Sequence, residues 1–165
     1  MRTLVTIGLI VVTWVILPPR LVAPSSPVCA SQTEGWVKLS ICLEKAVFRL
    51  DEPVAMRLTV RNVGHQEGTL AFFPQQLFNV LVYTPEGRKV YDYSETHFFR
   101  FTMLPDRSRV LPPGGSFVGE LAWGQTADDP SKSPGKYVVE GVLLGRVSGV
   151  AQWPIRTPRI TIELR

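Results

Sequence analysis

The sequence is poor in the residues that usually carry chemistry. Two histidines and two cysteines occur in 165 residues, and only 19% of the chain is charged. His65 lies in a glycine-flanked turn and His97 beside two phenylalanines, and no pair of them has metal-ligand spacing. That excludes a zinc site, which needs several His, Cys or carboxylate ligands brought together. Asp128 and Asp129 stand together before a proline in a polar loop. Two acids fall short of the roughly six to eight oxygens that calcium takes, so they read as a solvated turn. Ser94, His97 and Asp92 can be drawn as a Ser-His-Asp set, but no nucleophile elbow or oxyanion motif accompanies them. No catalytic residue, metal or cofactor is assigned, and the chain is read as a non-enzyme.

A cluster of Lys and Arg is also missing. The net charge is +4 and falls to +2 without Arg2 and Arg20 of the leader. Nucleic acid is therefore not expected as a partner.

No apolar run is long enough to cross a membrane comfortably. Leu4 to Leu17 is interrupted by Thr6, Gly8 and Thr13 and stopped by Pro18 and Pro19, whereas a spanning helix needs about 20 apolar residues. With Arg2 ahead of it, the run fits the h-region of a secretory signal. Val28 and Ala30 are the small residues of a cleavage site, so a cut between Ala30 and Ser31 is expected. An uncleaved N-terminal membrane anchor is the rival reading. Lipidation of Cys29 is discounted, because Val28 directly before it and Ser26 three before it do not fit a lipoprotein signal. The expected location is extracytoplasmic, either secreted or held by the N-terminal segment. Residues 18–35, rich in Pro, Ser and Ala, read as a linker or cleaved tail. Cleavage would remove Cys29 and leave Cys42 without an intrachain partner. Cys42 is then a small residue filling a strand position.

What is abundant is alternation. Val37, Leu39, Ile41 and Leu43 alternate with Lys38, Ser40, Cys42 and Glu44; Val54, Met56, Leu58 and Val60 alternate with Arg57, Thr59 and Arg61. Successive strand side chains point to opposite faces, so both are half-buried strands. "RNVGHQEG" follows as a turn, with Gly64 and Gly68 as positive-φ positions. "TLAFF" at 69–73 is a short strand. Phe78, Val80 and Val82 share one face, yet Leu81 and Tyr83 make the other face apolar too, which indicates a central or covered strand. "TPEGR" is a turn with Gly87 at φ > 0, and "RKVYDY" at 88–93 returns as the hairpin partner. "LPPGGS" at 111–116, "FVGELAW", "KYVVEGVLLG" and "PRITIELR" add a turn and three strands. Tyr91, Tyr93, Phe98, Phe99 and Phe101 crowd one span and read as core and open end rather than as a sticky surface. Together these features predict an all-β chain: one Ig-like antiparallel β-sandwich of about seven to nine strands over residues 31–165, after a leader and linker at 1–30.

These segments also resemble a known family. "VKLSICLEKAVFRLDEPVAMRLTVRNVG", "FFPQQLFNVLVYTPEGRKVYDYS", "FFRFTMLPDRSRVLPPGGSFVGELAW" and "SPGKYVVEGVLLG" are similar to the intracellular proteinase inhibitor family, the BsuPI-type domain. Its marks are a strand ending in "N.G", an aromatic hairpin, a Pro-Gly turn before a tryptophan-ended strand, and a "PG.Y.V.G.L" strand. Here "DEP" at 51–53 replaces a glycine-containing turn, and Tyr91 and Tyr93 stand where tryptophans are common. The resemblance implies a protein-binding sandwich, expected as a monomer, that inhibits a serine protease of the subtilisin type, with an exposed loop or edge strand lying in the protease cleft as an extra strand. The candidate loops are 94–109 and 124–135. The resemblance carries no inhibitory residue onto this chain. The alternative is a non-inhibitory structural or interaction module of the cell envelope. The family's intracellular label and the leader point in opposite directions, and the leader sets the expected location.

Overall fold

The structure, a computed structural model, describes residues 26–72, 76–97, 107–124 and 133–165. The leader, Phe98, Phe99, Phe101, Asp128 and Asp129 lie outside the described residues. The fold is an all-β sandwich. Among the described residues the strands are β1 (Val28–Glu34), β2 (Val37–Leu43), β3 (Val47–Phe48), β4 (Val54–Asn62), β5 (Gly68–Phe72), β6 (Phe78–Tyr83), β7 (Lys89–Asp92), β8 (Arg107–Leu111), β9 (Ser116–Trp123), β10 (Gly135–Leu143), β11 (Arg146–Val147), β12 (Ile155–Arg156) and β13 (Ile160–Leu164). They form three sheets, ordered β1-β2-β4-β9, β3-β13-β10-β6-β7 with β12 beside β10, and β11-β5-β8. Pairing is antiparallel except between β3 and β13. The expected seven to nine strands are exceeded by the two-residue strands β3, β11 and β12 and by β1, which lies in the segment read as linker. Two-residue pieces carry no period of their own.

The first two sheets face each other across the core. β2 and β4 bury the residues that alternation assigned to their inner faces, from Val37 to Leu43 and from Val54 to Val60. Opposite them, β10 and β13 contribute Tyr137, Val139, Ile160 and Ile162. Trp123, fully buried, stands edge-on to Tyr137 at 5.0 Å and tilted against Tyr91 at 6.0 Å. β6 runs between β10 and β7 and buries both faces, Phe78, Val80 and Val82 on one and Asn79 and Leu81 on the other. The apolar character of both its faces follows from that central place. The turn to β7 has Gly87 at φ 91° and a Gly87 N–H donating to Thr84 O at 2.9 Å, as the Pro-Glu-Gly signal predicts.

Three expectations are corrected. Part of the segment read as linker is β1, which pairs with β2 in register from Val28↔Leu43 to Glu34↔Val37. Its side chains alternate between half-buried and exposed with few apolar groups, so it joins the sheet through backbone hydrogen bonds rather than a greasy face. Cys42 is not a free space-filler: it is disulfide-bonded to Cys29, directly opposite on β1. Gly64 and Gly68 do not adopt positive φ. Gly68 is required by packing, since a Cβ there would lie 2.2 Å from the Trp36 ring. That ring is held in place by its own N–H, which donates to Ser148 O at 2.8 Å. Gly68→Ala is therefore expected to cost about 1–3 kcal/mol by overpacking. Urea unfolding with tryptophan emission would check it, and an unchanged midpoint would show that the indole moves aside freely.

Candidate functional site

The most distinctive local geometry is a fork made by β8 and β9. The two strands follow each other through Pro112-Pro113-Gly114-Gly115, where Gly115 N–H donates to Pro112 O at 2.8 Å and Gly114 takes φ 76°. A hairpin would pair them. Instead β8 pairs with β5 and β9 pairs with β4, so the strands diverge into different sheets. Among the described residues each is the terminal strand of its sheet. A terminal strand presents backbone N–H and C=O groups along its outer side. Beside this edge Val110 is 57% exposed, and across the fork Val118 is exposed on β9.

One buried side chain holds the fork. Asn62, fully buried at the end of β4, donates from Nδ2 to Leu111 O and to Gln66 O, both at 2.8 Å. Its Oδ1 accepts from Gly64 N–H at 2.8 Å. Its backbone binds the turn as well: Asn62 N–H donates to Gly115 O at 2.9 Å and Gly114 N–H to Asn62 O at 3.0 Å. The "N.G" and "PPGG" stretches, far apart in sequence, are thus two halves of one joint. Sequence reasoning placed both in turns and missed the joint. The signal present was an asparagine ending an otherwise inward-facing apolar row, where an unsatisfied amide would be costly.

Inside the fork is a groove of about 580 Å³ with Leu77 and Phe78 along it and Arg109 and Phe117 on its walls. Phe78 and Phe117 stack at 5.9 Å, and the Arg109 guanidinium lies 4.4 Å above the Phe117 ring. Gly119 makes this possible, because a Cβ there would stand 2.5 Å from Phe78.

The tyrosine-rich hairpin is a polar knot rather than a site. Asp92 accepts from Ser94 Oγ at 2.6 Å, Asn79 Nδ2 at 3.0 Å and Lys89 Nζ at 3.0 Å. It also caps the helical turn α1 (Tyr93–Thr96), which ends β7 earlier than expected. Burial pushes the Asp92 carboxyl up, but the hydrogen bonds from Ser94, Asn79 and Lys89 outweigh it and hold the group below its ordinary value. The Lys89 ammonium, bonded to Glu95 and Asp92, is pushed up to about 12. Ser94, His97 and Asp92 are close in sequence but not linked as a relay. The Ser94 hydroxyl donates to Asp92, while His97 Nδ1 faces Thr96 Oγ1 at 2.9 Å and Tyr93 O at 3.2 Å. Tyr91 packs in the core, as expected.

The remaining positions are dispersed. Ala30 and Ser31 lie within β1, opposite Ile41 and Ser40, so a cut between them would fall inside that strand. His65 is exposed in the turn after β4. Of the candidate loops, 94–109 is described only at 94–97 and 107–109, and 124–135 only at 124 and 133–135. Among the described residues no three His, Cys, Asp or Glu converge as a metal site, and no helix is long and apolar enough to cross a membrane.

Comparison with known proteins bears on the family. The C-terminal domain of Wzt aligns with 85% of this chain and 78% of its own, at 11% identity and TM-score 0.48. A β-glucosidase from Listeria innocua, solved with glucose, aligns with 81% of this chain at 13% identity and TM-score 0.42, and the chain spans only 16% of that enzyme. A CARDB domain from Pyrococcus furiosus, solved with di-metal ions, aligns with 92% of this chain and 100% of its own, at 12% identity and TM-score 0.40. No curated protein matches the chain. The model of the BsuPI family, described as intracellular proteinase inhibitor, matches residues 41–147, more than half of the chain. That description overturns the extracytoplasmic location expected from the leader and points inside the cell. The match contains the Asn62 joint, the β6–β7 hairpin and the whole fork, and on that evidence the chain belongs to the intracellular proteinase inhibitor family.

Proposed function

We propose that the protein inhibits a serine protease of the subtilisin type, acting as a monomer, and that β8 is the strand it offers to the protease cleft. The observation that carries this reading is the terminal position of β8 among the described residues, with Val110 exposed and the strand end fixed by Asn62. A substrate-binding cleft accepts extended backbone as an added strand, and main-chain hydrogen bonds supply affinity while side chains supply selectivity. A rigid, pre-shaped strand loses little entropy on docking. β8 also includes the last residues, 107–109, of the 94–109 segment, one of the two loops that the sequence nominates.

An inhibition titration tests the proposal: the initial rate of a subtilisin-type protease against added protein. A stoichiometric fall with the chain left intact supports it. An unchanged rate at high excess overturns it and leaves a non-inhibitory interaction module. Within that assay, Val110→Asp is expected to weaken inhibition by about tenfold or more, because a charge would be desolvated at the contact. The side chain is exposed, so the unfolding midpoint should not move.

A further inference from the structure

The disulfide stands in an unusual place for a structural staple. It joins an edge strand to its neighbour at directly opposed residues, on the outward face of the sheet. Cys29 is exposed and Cys42 half-buried. β1 buries little of its own: Val28 and Ala30 are only partly covered by the core. Its turn end is secured by the tight Gly35-Trp36 connection, with Gly35 at φ 57° and the Trp36 N–H on Ser148 O. Its other end, at Val28 and Cys29, has the bridge. Across the outer face the register continues from Cys29 to Cys42, then to Arg57 on β4 and Glu120 on β9. Cys42 therefore has Arg57 as its direct cross-strand neighbour, and residues paired in this way stand about 5 Å apart between Cβ atoms.

We propose that the Cys29–Cys42 bridge is a thiol–disulfide exchange site, opened by attack of a thiol reductant on Cys29, and that its opening unpins the first half of β1. The attacking thiolate forms a new S–S bond to Cys29 Sγ. The old bond breaks, and its electron pair leaves on Cys42 as a thiolate. A second reductant thiolate then attacks the mixed disulfide, releasing Cys29 as a thiolate and the reductant as its own disulfide. Two protons from solvent complete the pair of protein thiols. Two features direct the first attack. Cys29 is the accessible sulfur, and the Arg57 charge favours the negative charge left on Cys42, although Glu120 opposes it from the far side. The family's intracellular description gives the site its relevance, since disulfides there are exceptional and usually transient.

The consequence is local. Once the bridge opens, residues 28–31 retain edge-strand hydrogen bonds and the partial core contacts of Val28 and Ala30, while residues 32–34 stay tied by the turn. Fraying then bares the outer backbone edge of β2 near Ile41–Leu43.

The test uses the intact, oxidised chain with reduced glutathione and, separately, dithiothreitol, without denaturant. Trapping free thiols with iodoacetamide and mapping peptides by mass spectrometry should find glutathione on Cys29 and the alkyl group on Cys42. Arg57→Ala should slow the first step about threefold, as loss of one screened charge beside the leaving sulfur implies, and Arg57→Lys should restore most of the rate. Hydrogen exchange after reduction should accelerate at residues 28–31 and leave β4 unchanged. The double variant Cys29→Ser, Cys42→Ser should reproduce that exchange pattern. Glutathione on Cys42, reduction only in denaturant, or unchanged exchange at residues 28–31 would each overturn the proposal.

Discussion

Asn62→Asp is expected to cost about 3–5 kcal/mol, despite adding no volume. The new carboxylate keeps the acceptor that Gly64 N–H uses. It loses the two donors that satisfy Leu111 O and Gln66 O, each at 2.8 Å. The buried Leu111 carbonyl and the part-buried Gln66 carbonyl would then face a carboxylate oxygen at a residue with no exposed surface. Leaving buried polar partners unmatched costs about 1–3 kcal/mol each, and an uncompensated buried charge adds several more before relaxation. Urea unfolding should show a lower midpoint at unchanged slope. The damage should also reach function, because Leu111 ends β8. Protease inhibition should weaken even under conditions where the variant is fully folded.

Trp123→Ala separates stability from the fork. The indole has no exposed surface and contacts Tyr137 and Tyr91 between the two sheets. Truncation loses the buried area and leaves a cavity that paired strands cannot close, so about 3–5 kcal/mol should be lost. Thermal unfolding would measure it, with near-ultraviolet circular dichroism reporting the lost aromatic contacts. The fork turn lies at the other end of β9, at Ser116, and should keep its geometry. At temperatures where Trp123→Ala remains folded, its inhibition should match the parent. An Asn62→Asp variant with normal inhibition, or a Trp123→Ala variant with normal stability, would contradict the assignment of joint and core.

The two variants also mark what the sequence makes visible. β2, β4 and β6 are legible because burial writes a period into hydropathy: two of them alternate and the central one is apolar on both faces. Gly87 is legible because the turn demands its φ. β1 is not, since its sequence VCASQTE has almost no apolar face and it is placed by pairing and by a covalent bond. A cut after Ala30 would take away Cys29, so the cleavage signal hides the partner of Cys42. Gly68 looks like a turn glycine in the sequence because nothing local shows that Trp36 lies over it. The fork is the least visible element. Its shape depends on β8 and β9 choosing different partners, and its anchor spans the separation from Asn62 to Leu111. The location is obscured for a different reason: the apolar leader argues for export, whereas the family description points inside the cell.

Hydrogen exchange on the protein mixed with a subtilisin-type protease tests the central claim most directly. If β8 docks as an added strand, the amides of residues 107–111 that point away from β5 gain protection, and those of β13 do not change. Protection confined to other strands, or none at protease concentrations that abolish activity, would contradict the account.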